Sequence, residues 1–147
     1  MRWRLLDRVT RLDDWTFARG TKAVSFEEYT LREPFGREGT LPETMVLESC
    51  VELLRWLVAH SSDFALTCAL AEVSCYDMAD EAGMGDCLQV ETTVMDRQGS
   101  SLLAACTVTV ADRLVAQGKV RVALLPMAGS FDVAWMRGRW CELYVPA

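Results

Sequence analysis

Glu33-Pro34-Phe35-Gly36-Arg37-Glu38-Gly39-Thr40-Leu41-Pro42-Glu43-Thr44-Met45-Val46-Leu47-Glu48 is the stretch on which the reading of this chain turns. Its first half mixes Pro, Gly and charge, a composition that favours irregular backbone. Its second half opens a helix. Thr40 is a candidate N-cap, Pro42 suits the first turn and Glu43 suits the positive end of the helix dipole. Further on, Cys50, Val51, Leu53, Leu54, Trp56, Leu57 and Val58 carry apolar groups around most of the circumference. The expected helix spans 42–60 and is buried on nearly all sides.

Outward from this helix the pattern is that of strands. Upstream, 15–26 reads as a strand broken at Gly20. Downstream, strands are expected over 64–76, 88–95, 102–110 and 114–125. An acidic, Gly-containing loop over 77–86 and a turn at 96–99 separate the first three. One buried helix followed by an antiparallel run of strands is α+β, a sheet wrapped around a central helix.

The chain has 147 residues, enough for one domain with a proper core, and 51% of them are hydrophobic. No apolar run reaches the length of a membrane span, and the charged start Met1-Arg2-Trp3-Arg4 has no signal-peptide core, so a cytoplasmic protein is expected. The net charge is −6 with no long basic stretch, which argues against a nucleic-acid partner. Six cysteines stand at 50, 68, 75, 87, 106 and 141 without a Cys-x-x-Cys pair, and the single histidine, His60, completes no zinc set at usual spacing. Reduced thiols used as small core residues are expected, with no metal and no cofactor.

With the elements in this order, segment 33–48 resembles the catalytic segment of the FabZ-type 3-hydroxyacyl-carrier-protein dehydratases, a hotdog-fold family. There, His-Phe-Pro-Gly-x-Pro-x-x-Pro-Gly stands at the mouth of a buried helix, and a carboxylate follows six residues after the last proline. Phe35 falls under the family's Phe, Leu41-Pro42 under its apolar-Pro pair and Glu48 under its acid. Leu5-Leu6-Asp7-Arg8-Val9 resembles the family's opening. Gly85-Asp86-Cys87-Leu88-Gln89-Val90 resembles its Pro-Gly-Asp-x-Leu segment, with Met84 in place of proline. Val115-Ala116-Gln117-Gly118-Lys119-Val120 resembles its last strand. The resemblance implies a hotdog domain over 1–125. Residues 126–147, with Trp135, Trp140, Tyr144, Arg137 and Arg139, would be an extension packed on the same domain or across a dimer.

In the family so implied, two hotdog subunits pair, and a His from one faces a carboxylate on the helix of the other. One takes the proton next to the thioester carbonyl and the other helps water leave, while backbone N–H groups at the helix start hold the thioester oxygen. Here the His position falls on Pro34, which has no titratable group and no N–H. His60 lies roughly 18 Å from Glu48 at the helical rise of about 1.5 Å per residue. Glu43 replaces the family's glycine and Glu52 its polar residue one turn after the acid. Glu48, Glu52 and Arg55 share one helix face, either lining a substrate tunnel or forming a solvated or internally paired stripe.

The resemblance thus implies a protein of acyl-thioester metabolism. Glu48 is the candidate catalytic residue. Pro34, Phe35, Leu41, Pro42, Glu43, Thr44 and Glu52 are the candidate substrate-binding residues. One reading is a catalytically degenerate dehydratase homologue that binds acyl-carrier-protein-linked substrates, as a homodimer or as a heteromer with another hotdog subunit. The other is an active dehydratase or acyl thioesterase that uses Glu48.

Overall fold

The computed structural model describes residues 4–25 and 39–147. Glu33, Pro34 and Phe35 lie outside the described residues. In chain order the elements are β1 (Arg8–Asp13), β2 (Phe17–Ala23), α1 (Glu43–Ser61), β3 (Leu66–Met78), β4 (Cys87–Gln98), β5 (Ser101–Val110), β6 (Arg113–Pro126) and α2 (Val133–Leu143). The strands form one sheet in the order β1-β2-β4-β5-β6-β3, and each neighbouring pair is antiparallel. Helix α1 packs against strands at both edges and in the middle of this sheet. That is the expected α+β architecture, a sheet wrapped around one long helix.

The core follows from two periodicities meeting. Along β5, Leu102, Ala104, Cys106 and Val108 alternate inward. Leu88 and Val90 on β4 and Val120 and Val122 on β6 extend the same layer. Against it α1 buries Val46, Cys50, Leu53, Leu54 and Leu57, each fully. Burying one Leu side chain in this way contributes about 2 kcal/mol. Among the described residues, no helix is long and apolar enough to cross a membrane.

Several boundaries differ from expectation, for physical reasons. The single strand expected over 15–26 is half of a hairpin, β1–β2, turned at Trp15 with φ 54°. A bulky residue in the left-handed region carries none of the Gly or Asn signals of a turn. Gly20 does not break a strand. It sits inside β2, where a Cβ would come within 2.7 Å of the Arg8 carbonyl oxygen. Thr40 is not the N-cap. That position is Pro42, because the backbone at Thr40 and Leu41 is drawn into bridging contact with Gly83 and Ala82. Strand β3 runs on to Met78, into the expected loop, along β6 as far as Ala116. Residues 133–143, expected only as a packed extension, form α2, capped by Asp132, whose side chain accepts from Trp135 N.

The six cysteines are free, but only Cys50, Cys68 and Cys106 are buried. Cys75, Cys87 and Cys141 are exposed, so the core role expected for these thiols holds for half of them. A strand places every second residue outward whatever its hydropathy, and Cys87 falls on such a position of β4, whereas Cys75 lies in the run 71–75 of the edge strand β3, where every residue is exposed.

Candidate active site at the start of helix α1

The chain enters α1 through a clamp. Leu41 N donates to Ala82 O at 2.7 Å, Met84 N donates to Gly39 O at 3.1 Å, and Thr40 bridges to Gly83. The receiving loop is itself held by Asp86, whose Oδ2 accepts from Gly83 N at 2.8 Å. Arg113 ties it down from β6, reaching Asp80 Oδ2 at 2.6 Å and Glu81 O at 3.0 Å. The Glu81 backbone N–H, and then the Arg113 guanidinium, hold the Asp80 carboxyl below its usual range. Gly85, at φ 90°, provides the backbone conformation that the loop needs before β4. The Gly85-Asp86 pair therefore fixes where α1 begins.

The first turn of α1 is open. Pro42 makes no side-chain cap, and Glu43 and Thr44 are exposed. Met45 N and Val46 N both turn back to Pro42 O, at 2.9 and 3.2 Å. The Glu43 and Thr44 N–H groups have no acceptor among the described residues. They form the positive end of a nineteen-residue helix, where an oxygen carrying negative charge is favoured. Tyr76 reaches this turn from β3, with its hydroxyl 3.5 Å from both Glu43 O and Met78 Sδ. Burial, more than its neighbours, pushes the Tyr76 phenol pKa up, so the group stays protonated. Sequence reasoning missed Tyr76. Its signal was Gly118, a glycine inside a Val-rich strand, which marks close approach of another group.

One turn into the helix stands Glu48, half-buried, with no hydrogen-bond or ion-pair partner among the described residues. Side chains on a helix lean toward its N-terminus, so this carboxylate leans toward the open turn. Glu52 differs. Its Oε2 accepts from Arg55 Nη1 at 3.0 Å and its Oε1 from Trp56 Nε1 at 3.0 Å. Arg55 also points its Nε at Cys68 O, at 3.4 Å. The polar stripe expected along this face therefore divides into one free carboxylate and one internally paired group. The paired group lines a cleft under α2. Leu41 is buried and Pro42 half-buried, so these two shape the helix mouth more than they contact solvent.

His60 lies at the other end of α1. Its Nδ1 is 2.9 Å from Asp14 Oδ1 and its ring centroid 5.0 Å from that of Trp140. The tail covers this end. Trp140 stacks on Tyr144 at 4.8 Å and lies 5.8 Å from Trp56. Arg137 holds the turn after α1, donating to Asp63 Oδ1 and to Asp63 O, each at 2.9 Å. The structure thus brings Leu41, Pro42, Glu43, Thr44 and Glu48 to one end of α1 and sets Glu52 and His60 apart from them.

No protein-family model and no curated protein matches the chain. Solved structures do match in shape. A hot-dog-like protein from Thermanaerovibrio acidaminovorans has a TM-score of 0.67 at 17% identity, covering 86% of this chain and 93% of that one. A Streptococcus mutans protein bound to acetyl CoA has a TM-score of 0.65 at 12% identity, covering 81% and 88%. Zebra fish thioesterase superfamily member 2 has a TM-score of 0.64 at 16% identity, covering 80% of each chain. The sheet order, the single long helix laid across it and these neighbours agree: the chain has the hotdog fold.

Proposed function

We propose that the chain binds an acyl thioester at the start of α1 and hydrolyses it with Glu48 as the general base. The observation that carries this reading is the contrast along one helix face. Glu52 is doubly committed, whereas Glu48, one turn nearer the open N–H groups, is not. The thioester carbonyl oxygen accepts from the Glu43 and Thr44 N–H groups. Glu48 takes a proton from water, the new C–O bond forms at the carbonyl carbon, and negative charge collects on the oxygen held by the helix start. The C–S bond then breaks, and the thiolate takes the proton from Glu48. The bound acetyl CoA and the thioesterase name among the fold's neighbours are compatible with this substrate class.

The second reading, a degenerate dehydratase homologue that holds a carrier-protein-linked substrate, draws on His60. Dehydration asks for a second acid–base group, and the only imidazole in the chain is tied to Asp14 at the far end of α1. Either reading favours a second hotdog subunit. Among the described residues, strand β3 pairs with β6 on one side only, and residues 71–75 along it are exposed. An open edge of this kind is closed by pairing with another strand.

The experiment is turnover of a plain acyl-CoA and a 3-hydroxyacyl-CoA by wild type and by Glu48→Gln. The expected result is thioester hydrolysis that falls on the order of a hundred- to ten-thousand-fold in the variant, with no dehydration by either protein. Wild type inert toward both substrates overturns hydrolysis in favour of the binding role. Hydrolysis unchanged in Glu48→Gln removes Glu48 from the mechanism.

A further inference from the structure

Helix α2 roofs a cleft of about 270 Å³ against α1 and the segment leading into β1. Leu6, Trp56, Phe131 and Met136 give it apolar walls. Four charged side chains also line it: Arg4, Arg55, Arg139 and Glu52. Glu52 is fully used, by Arg55 and by the Trp56 indole. Arg139 pairs along α2 with Glu142 at 2.6 Å, outside the cleft. Arg4 has no carboxylate partner among the described residues. Counting Glu142, the cleft keeps one unmatched positive charge among the described residues, on a chain whose net charge is −6.

We propose that this cleft binds a small organic monoanion, a carboxylate on an apolar chain. Its head group lies at Arg4 and Arg139 and its body against Phe131 and Met136. The single unmatched charge suits a carboxylate better than a phosphate monoester, which carries nearly two. A planar guanidinium also matches a carboxylate in geometry. The volume suits a small molecule. Glu48 does not line the cleft, so occupancy here is separable from turnover at the start of α1.

Calorimetric titration of the full chain with octanoate and with 1-octanol tests the proposal, because the two differ in head-group charge. The expected result is saturable one-to-one binding of octanoate, with octanol about tenfold weaker or worse. Arg4→Gln, at an exposed side chain, should bring octanoate down to the level of octanol. Phe131→Ser, also exposed, should weaken both ligands. The proposal is overturned by absent or unsaturable octanoate binding, by equal affinity for the two ligands, by an Arg4→Gln protein that keeps the full preference, or by a Phe131→Ser protein that binds both as wild type does.

Discussion

Tyr76 occupies the space over Gly118. A Cβ on Gly118 would stand 3.0 Å from Tyr76 Cδ2, 2.9 Å from Tyr76 Cα and 2.4 Å from the Cys75 carbonyl oxygen. Two of these neighbours are backbone, so no rotamer change relieves the contact. The register of β3 on β6 shifts between Val73 and Cys75, just before this approach. A bulge re-aims the side chain that follows it, and here that side chain reaches the first turn of α1.

Gly118→Ala should therefore destabilise the protein by about 2 kcal/mol or more, through overpacking. Gly138 is the control. It lies within α2 with nothing within 4 Å of its Cβ position, so Gly138→Ala should be neutral or stabilising by about 0.5–1 kcal/mol. Urea denaturation midpoints give both values. Equal effects at the two sites would remove the Tyr76 contact as the reason for glycine at 118.

Thr92 is fully buried on β4, and its hydroxyl has no hydrogen-bond partner among the described residues. A hydroxyl stripped of water without a replacement costs about 1–3 kcal/mol. Thr92→Val keeps the branched shape and removes the orphaned group. It should raise stability by about 1 kcal/mol, seen as a higher denaturation midpoint at unchanged slope. A lower midpoint would mean that the hydroxyl is satisfied.

The thiols should divide into two classes. Cys87 and Cys141 are exposed and should react promptly with a thiol reagent in the native protein, whereas Cys75, exposed on the β3 edge that a second subunit would cover, should react promptly only in the monomer. Burial pushes the Cys68 thiol up to about 12. The contact with Cys106 is the main reason that the Cys50 thiol is also raised, with burial second. Together with the enclosed Cys106, these should react only after denaturation. Prompt reaction of all six in the native state would show that the α1–β5 layer opens readily.

What the sequence revealed of this fold, and what it hid, follows from the range of each signal. The apolar run from Val46 to Val58 has one low-energy solution, a buried helix, and α1 differs from the expected span by a single residue at each end. The β4, β5 and β6 strands were visible because alternation is local. The β1–β2 turn was not, because its left-handed residue is Trp15. Helix α2 was hidden because exposed apolar residues, Trp135 and Cys141, blur the i, i+4, i+7 spacing of its buried Met136, Trp140 and Leu143. At the site, spacing alone put Glu48 and Glu52 on one face. Which of them is paired depends on Arg55 and Trp56 rotamers, which spacing does not carry. The approach of Tyr76 to Glu43 spans thirty-three residues and rests on a bulge, so no local pattern announced it.

The join between α2 and the turn after α1 should be sensitive to acid. Asp63 and Phe64 both have positive φ, at 52° and 61°, a conformation that costs a non-glycine residue about 1–2 kcal/mol. Arg137 braces that turn. It hydrogen-bonds the Asp63 carboxylate and carbonyl, and its guanidinium lies 4.8 Å from the centre of the Phe64 ring. The hydrogen bond from Arg137, and then its charge, hold the Asp63 carboxyl below its usual range. A carboxyl whose folded pKa is depressed adds stability that is complete above its unfolded value, about 3.9, and is lost as pH falls through the folded value. Arg137→Gln should therefore be less stable than wild type at neutral pH. The gap should narrow as pH falls below about 4, leaving the part owed to the carbonyl and ring contacts. Because Asp63 is exposed, added salt should narrow the gap as well. Thermal unfolding of both proteins from pH 7 to pH 2.5 decides the matter, and a gap that stays constant across this range would show that the ion pair contributes nothing to holding the turn.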